Sequence, residues 1–353
     1  MIRFLSTNII LLFLCNAAIA QYKIELLDSN TFELGDGVVL SKTSFRGLSV
    51  VDDQTIWVSG SKGTFARSLD GGKSFEFKQL KGYEKSDFRD IEAFDDKRAI
   101  MMSSGTPAYI LKTIDGGQTW NEKYKNLDTA YFLDAMDFWD EKRGILVGDP
   151  IHGHFVLLQT KDTGETWQEL DTNLTPKAME GEAVFAASGT SLRCFGDYGK
   201  VAFVTGGKYS RVTGANLNRK YIHWKSFQTN INQGAASQGA FSFANNNSAE
   251  VIVGGDYKID TLVFHNSCVK YLPPSISGET FDKNTNDVKG YRSCVEAINL
   301  NSFIACGTSG ADIYQNKIWK NISNHSFNVV RKAKKGKTVF LAGGIGRIGR
   351  LVY

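Results

Sequence analysis

The chain has 353 residues, 42% of them hydrophobic and 12% aromatic, which is ample for a large core. Its 41 basic and 37 acidic residues leave a formal net charge of only +4, with no long run of one sign, so nothing argues for a nucleic-acid partner. The N-terminus does not read as part of a fold. Arg3 supplies a positive start, an apolar stretch runs from Ile9 to Leu14, and Ala18-Ile19-Ala20 closes the segment. That layout predicts a signal peptide over residues 1–20, cleaved before Gln21, and a single domain over 21–353 that is periplasmic or secreted. The apolar run is too short to span a bilayer and no later stretch is long enough, so no membrane span is expected. Leu14 is bulky where a lipoprotein signal puts a small residue before Cys15. Cys194, Cys268, Cys294 and Cys306 remain in the mature chain, too sparse for a disulfide scaffold and in no zinc-like spacing.

After the signal, Tyr22 to Leu27 (Y-K-I-E-L-L) reads as a strand, and then a repeat begins. The turns S-L-D-G-G-K-S-F, T-I-D-G-G-Q-T-W and T-K-D-T-G-E-T-W start at Ser68, Thr113 and Thr160, spaced by 45 and 47 residues. A period of that size with strand-like sequence between is the signature of a propeller blade. Seven copies can be traced. Short apolar opening strands fall at 44–50, 87–94, 132–138, 181–187, 238–243, 291–298 and 326–331. Second strands ending in small residues fall at 55–60, 98–105, 144–149, 200–207, 250–256, 302–307 and 338–344. No long amphipathic helix is visible. The fold expected is all-β, a seven-bladed β-propeller of four-stranded antiparallel blades. The chain ends soon after the second strand of copy seven, so Tyr22–Leu27 is expected to complete the last blade and close the ring.

In the turn pattern the Asp can accept backbone N–H bonds and the Gly takes a positive φ. The closing aromatic points back as an apolar plug. At these residues the sequence resembles the Asp-box, or bacterial neuraminidase repeat. Among Asp-box propellers, which include sialidases and a xyloglucan-degrading group, it is most similar to the photosystem II assembly/stability factor type, over essentially the whole mature length. The resemblance implies that Asp70, Asp115, Trp120, Asp162 and Trp167 are peripheral and structural. The boxes decay after the third copy: copy six keeps only Y-Q-N-K-I-W (314–319), and copy four has a longer polar stretch around Thr213 to Tyr221. Near the C-terminus, G-I-G-R-I-G (344–349) formally matches a dinucleotide fingerprint. Too little chain follows to build the helix and strand such a site needs, so the segment reads as a turn into a further strand.

Propellers usually bind at the mouth of the central channel. Arg46, Arg89 and Arg292 stand at the same step of three openings (F-R, F-R, Y-R), and converging on the axis they would make an anion or carboxylate site. Alternatively, each pairs with a neighbour such as Asp90 or Glu296. Asp134, Asp149, His152, Glu182, Asp256 and Tyr257 fall at the other steps that reach this face. Carboxylates facing arginines are either a binding rim or the acid and base of a glycosidase. His152 and His154 share a strand face but have no identifiable third ligand, so neither a metal nor a cofactor is expected. Cys294 and Cys306 straddle the Asn299–Asn301 turn and read either as a cross-strand disulfide or as two buried thiols.

The function expected is a binding or assembly scaffold that uses the channel mouth, with a protein partner or an acidic glycan. The photosystem-type resemblance implies binding of partner protein during assembly. The alternative is a glycoside hydrolase or lyase, sialidase-like or xyloglucanase-like, acting on an acidic or cell-envelope glycan. It would need two carboxylates roughly 5–10 Å apart beside the arginines. Seven blades in one chain require no oligomer, so a monomer is expected.

Overall fold

Each repeat is rich in apolar residues at strand spacing, and its sheet alone would leave both faces wet; ringed with six others, it is covered on both. A computed structural model describes residues 22–353 apart from 197, 273–280, 284 and 285, so the expected signal segment lies outside the described residues. Blade 1 consists of Phe45–Val50, Ile56–Gly60, Thr64–Ser68 and Phe75–Gln79, from the axis outwards. Blades 2 and 3 repeat this order from Asp87–Ala93 to Asn121–Asn126 and from Leu133–Phe138 to Gln168–Glu169. Blade 4 runs from Leu192–Cys194 to Lys225–Gln228, blade 5 from Gln238–Asn245 to Asp282–Lys283, and blade 6 from Cys294–Asn299 to Ile318–Ser323.

Blade 7 takes three strands from the C-terminus, Val329–Lys332, Val339–Ala342 and Ile348–Val352, and its outermost strand, Lys23–Leu26, from the N-terminus. Ile24 lies opposite Leu351, and the Leu27 amide donates to the Ile348 carbonyl at 3.0 Å. The ring therefore closes as the sequence suggests, and the G-I-G-R segment is the turn into Ile348–Val352, with Ile345 and Gly346 at positive φ. A short strand that the sequence did not suggest, Phe32–Leu34, runs parallel to the outer strand of blade 1.

The repeated turn closes the hairpin between the third and fourth strands. In blade 2 the Thr113 hydroxyl donates to Asp115 at 2.8 Å and accepts from the Gly117 amide at 2.9 Å. Asp115 in turn accepts the Thr119 amide and hydroxyl, and these bonds hold its carboxyl at a pKa of about 2. Ser68/Asp70 and Thr160/Asp162 repeat the pattern. The closing aromatic does not plug its own blade. It fills the seam with the preceding one: Trp120 meets Trp57 and Phe65 of blade 1 edge-on, at 6.3 and 5.2 Å between ring centres. Phe75 packs with blade 7, and Trp167 with Ile100 and Met102 of blade 2.

This seam position outlives the box. Trp224, Phe281 and Trp319 stand at the start of the outer strands of blades 4, 5 and 6, among residues of blades 3, 4 and 5. Tyr22 of the closing strand bonds Ser302 of blade 6. In blade 6, Asn316 and Lys317, both at positive φ, make the tight hairpin that replaces the box. Gly117 has φ +81°, and a Cβ there would lie 2.7 Å from the Phe65 ring; Gly82, at φ +87°, has open space around it. Gly117→Ala should therefore cost about 2–3 kcal/mol and Gly82→Ala only about 1 kcal/mol, a ranking that denaturant titration reads directly.

One expected strand is corrected. Residues 181–187 do not form the inner strand of blade 4. Only Glu182–Ala183 pairs there, with Gly206–Gly207, and the inner strand proper is Leu192–Cys194. The residues between, Val184 to Ser191, leave the sheet and cross the channel. Gly206 also lies opposite Gly239 and so stitches blade 4 to blade 5. This approach is close enough that a Cβ on Gly206 would lie 2.7 Å from the Gly239 Cα.

Candidate binding site at the channel mouth

Four inner strands carry a bulge near their start. It falls between Phe45 and Gly47, Phe88 and Asp90, Leu133 and Ala135, and Ala240 and Ser242. A bulge leaves one residue out of the ladder and re-aims its side chain. The residues left out are Arg46, Arg89, Asp134 and Phe241, so one backbone device in four blades points these side chains towards the axis.

Arg292 does not join them. It faces Gly307 as Phe45 faces Gly60, one step earlier than the F-R/Y-R alignment implies, and the residue equivalent to Arg46 is Ser293. A one-residue shift in a strand turns the side chain to the other face. Arg292 is accordingly 0% exposed inside blade 6. Its Nε donates to Asp312 at 2.7 Å, and its remaining donors reach Ser309 Oγ and the carbonyls of Tyr291 and Lys289. It anchors the blade and has no donor left for a ligand.

The crossing segment forms the floor of the mouth. Arg46 donates to the Ala187 carbonyl at 3.2 Å and Arg89 to the Ala186 carbonyl at 3.3 Å. Asp149 accepts the Val184 amide at 3.0 Å, and Ser188 reaches the Ser293 carbonyl at 2.8 Å. Gly189, at φ +66°, rests on the Asp90 carboxyl, which a Cβ would strike. Above the floor lies a pocket of about 480 Å³ lined by Arg46, Arg89, Asp149, Phe185, Phe241, Tyr257 and Tyr291. Phe185 and Phe241 stack at 3.9 Å, and Tyr291 sits edge-on to Phe241 at 4.8 Å.

The electrostatics favour an anion. Arg89 is paired with Asp87 at 2.8 Å, whereas Arg46 makes no direct ion pair among the described residues and feels Asp87 only from beyond contact. Burial first, and then the neighbouring Arg89 charge, push the Arg46 guanidinium below its ordinary pKa, yet an arginine stays charged. Asp149 is pushed up to about 6 by burial, against the pull of the Val184 amide. Asp134 lies fully buried beneath, its carboxyl raised well above the usual range by burial and then by Asp149. Neither of its oxygens has a well-formed hydrogen bond among the described residues. The pocket thus offers a cationic floor and an aromatic wall.

Residues 85–188 match the family described as the photosynthesis system II assembly factor YCF48, a stretch that takes in blades 2 and 3 and ends within the crossing segment. The chain is similar in structure to a protein described as YCF48 bound to D1 peptide, at 13% identity and a TM-score of 0.61, covering 94% of this chain and 97% of that one. Its second and third blades match the YCF48 family. YCF48 from Cyanidioschyzon merolae matches at 12% identity and a TM-score of 0.60, over 93% of this chain and 98% of that one. The Neurospora crassa Pan2 WD40 domain, at 13% identity and a TM-score of 0.57, covers 87% and 88%. No curated protein matches the sequence.

Within this seven-bladed frame, Arg46, Arg89, Asp149 and Tyr257 line the pocket, and Asp134 sits below it. Glu182 is fully engaged elsewhere, accepting from Arg211, Thr205 and the Met179 amide. Asp256 holds the turn after its strand by accepting the Lys258 amide at 2.9 Å. His152 is exposed at a turn with φ +51°, off the pocket. No group of three or more metal-ligating side chains occurs among the described residues. Of the aromatic wall, the sequence marks Tyr291 as part of the Y-R opening but gives no signal for Phe185 or Phe241, although Phe241 stands at the same step as Arg46.

Deeper in the channel, Arg193 pairs with Glu296 at 2.9 Å and Lys334 with Glu92 at 2.5 Å, while Asp137 accepts the Cys194 amide at 2.7 Å. Cys294 and Cys306 are directly opposed free thiols, both fully buried.

Proposed function

We propose that this protein is an exported, non-catalytic binding or assembly scaffold that holds a carboxylate-bearing segment of a partner protein in the channel mouth. The observation that carries this reading is Arg46, a partly buried cation without a direct ion pair, set beside Arg89 and against a stacked aromatic wall. A carboxylate spanning the two guanidiniums would give Arg46 a direct partner through charge-assisted hydrogen bonds. An apolar side chain next to it would cover Phe241 and Tyr291. The relative described as bound to D1 peptide gives the same class of ligand for the fold. Asp149 is the one carboxylate among the described residues lining the pocket, which leaves a glycosidase without a second.

The test is a titration of hexapeptides ending in an aromatic residue, as free acids and as C-terminal amides, with uronate oligosaccharides alongside. Wild type should bind the free acids at least about tenfold more tightly than the amides, and the Arg46→Gln/Arg89→Gln variant should lose that preference. Equal affinity for acid and amide, or an unaffected variant, would remove the arginines from the site. Tight binding or turnover of the oligosaccharides alone would move the reading to a glycan.

A further inference from the structure

A loop of blade 5 carries chemistry that the pocket does not use. Between Ala249–Asp256 and Ser267–Tyr271 the chain exposes Tyr257 (47%), Ile259 (57%), Leu262 (38%), Val263 (53%) and Phe264 (52%). Single exposed apolar side chains are ordinary; this many along one short loop make a ridge, and such ridges mark contact surfaces. The loop is also pinned. The Asp260 carbonyl accepts the Tyr291 amide at 2.8 Å, and its carboxylate accepts the Thr308 hydroxyl at 2.7 Å. The Leu262 carbonyl accepts Asn266 Nδ2 at 2.6 Å, and the His265 carbonyl accepts the Asn232 amide at 2.9 Å. The apolar side chains are therefore held outward by a tied backbone.

Ridge and pocket are continuous. Tyr257 belongs to both, and Tyr291 and Thr308, which hold Asp260, also line the pocket. Resting on the reading of the pocket as a peptide site, we propose that the ridge is the second half of a two-part docking surface. Its occupant is an extended segment of a partner protein that places a carboxylate on Arg46 and Arg89 and apolar side chains on Ile259, Val263 and Phe264. Charge decides between occupants. A wholly acidic segment would leave the ridge wet, and a wholly apolar one would bury Arg46 without a partner. An anionic bilayer would favour a cluster of basic residues around the ridge, whereas Lys258 is the one lysine or arginine between Tyr257 and Asn266, and Asp256 and Asp260 flank it.

The test uses the full mature chain and an arrayed library of free-acid peptides of about twelve residues, which reach about 40 Å when extended, beside hexapeptides that reach the pocket alone. The ridge variant is Ile259→Ser/Val263→Ser/Phe264→Ser, and since these side chains are about half exposed it should melt with wild type. Long peptides with an acidic end and an apolar stretch should be selected. The ridge variant should bind them at least about tenfold more weakly yet hold the hexapeptides unchanged, and Arg46→Gln/Arg89→Gln should weaken both. Long peptides held equally by wild type and the ridge variant overturn the ridge and leave the pocket standing. No binding of either length overturns both. Flotation of wild type, but not of the ridge variant, with phosphatidylglycerol vesicles makes the ridge a membrane contact and overturns the proposal.

Discussion

Arg292→Ala should destabilise the fold by about 3–5 kcal/mol, roughly 4–7 °C in Tm for a chain of this length, while Arg46→Gln should shift stability by less than about 1 kcal/mol. The sequence writes these two arginines alike; the strand register does not treat them alike. Removing the Arg292 guanidinium leaves Asp312 buried without its cation, and three further acceptors lose a donor. Removing the Arg46 charge relieves its repulsion with Arg89 and leaves no carboxylate behind. Arg292→Met with Asp312→Leu should recover part of the loss, because an apolar pair avoids the desolvation cost that a lone carboxylate keeps. Thermal melts of the three variants decide the matter: similar losses for Arg292→Ala and Arg46→Gln would mean that Arg46 is also a structural anchor.

The second large effect is one of pH. Asp149 has a folded pKa of about 6 against an ordinary 3.8, so the folded state holds its proton more tightly than the unfolded state does. Protonation then favours the fold. Through this group stability should be greatest below about pH 4, decline as pH rises towards 6, and level off above, with a total span of roughly 2–3 kcal/mol. Asp149→Asn keeps an acceptor for the Val184 amide and removes the titration. The gap between the two proteins should open across that window, the variant being the more stable at neutral pH. Parallel profiles would mean that the carboxylate is already well solvated. Asp90, also raised by burial, moves in the same direction in both proteins and cancels in the difference, whereas Asp134, raised in part by the Asp149 charge, is raised less in the variant and widens the gap.

Much of this architecture was legible because it repeats. The period set the number of blades, and Tyr22–Leu27 had to go somewhere once the last copy ran short. What escaped was whatever depended on register or on departure from the sheet. The F-R and Y-R pairs look equivalent as letters, yet Arg292 takes the place opposite glycine that Phe45 takes in blade 1, one step before Arg46. G-E-A-V-F-A-A has the composition of an opening strand, so nothing local said that it would leave the sheet after Ala183. The aromatic wall was hidden for a related reason. Phe185 and Phe241 read as ordinary strand residues until the crossing segment brings Phe185 onto Phe241.

That segment changes what kind of object the ring is. Tandem repeats ordinarily couple only to their neighbours. Here Val184 to Ser191, rooted in blade 4, bonds Arg46 of blade 1, Arg89 of blade 2, Asp149 of blade 3, Ser242 of blade 5 and Ser293 of blade 6. The molecule is built as a wheel with a hub, and its inner strands are spokes fixed to a common axle. None of these six blades can loosen at the centre without disturbing the same eight residues. A ligand that draws on the two arginine spokes pulls on the axle itself, and so on blades that it never touches.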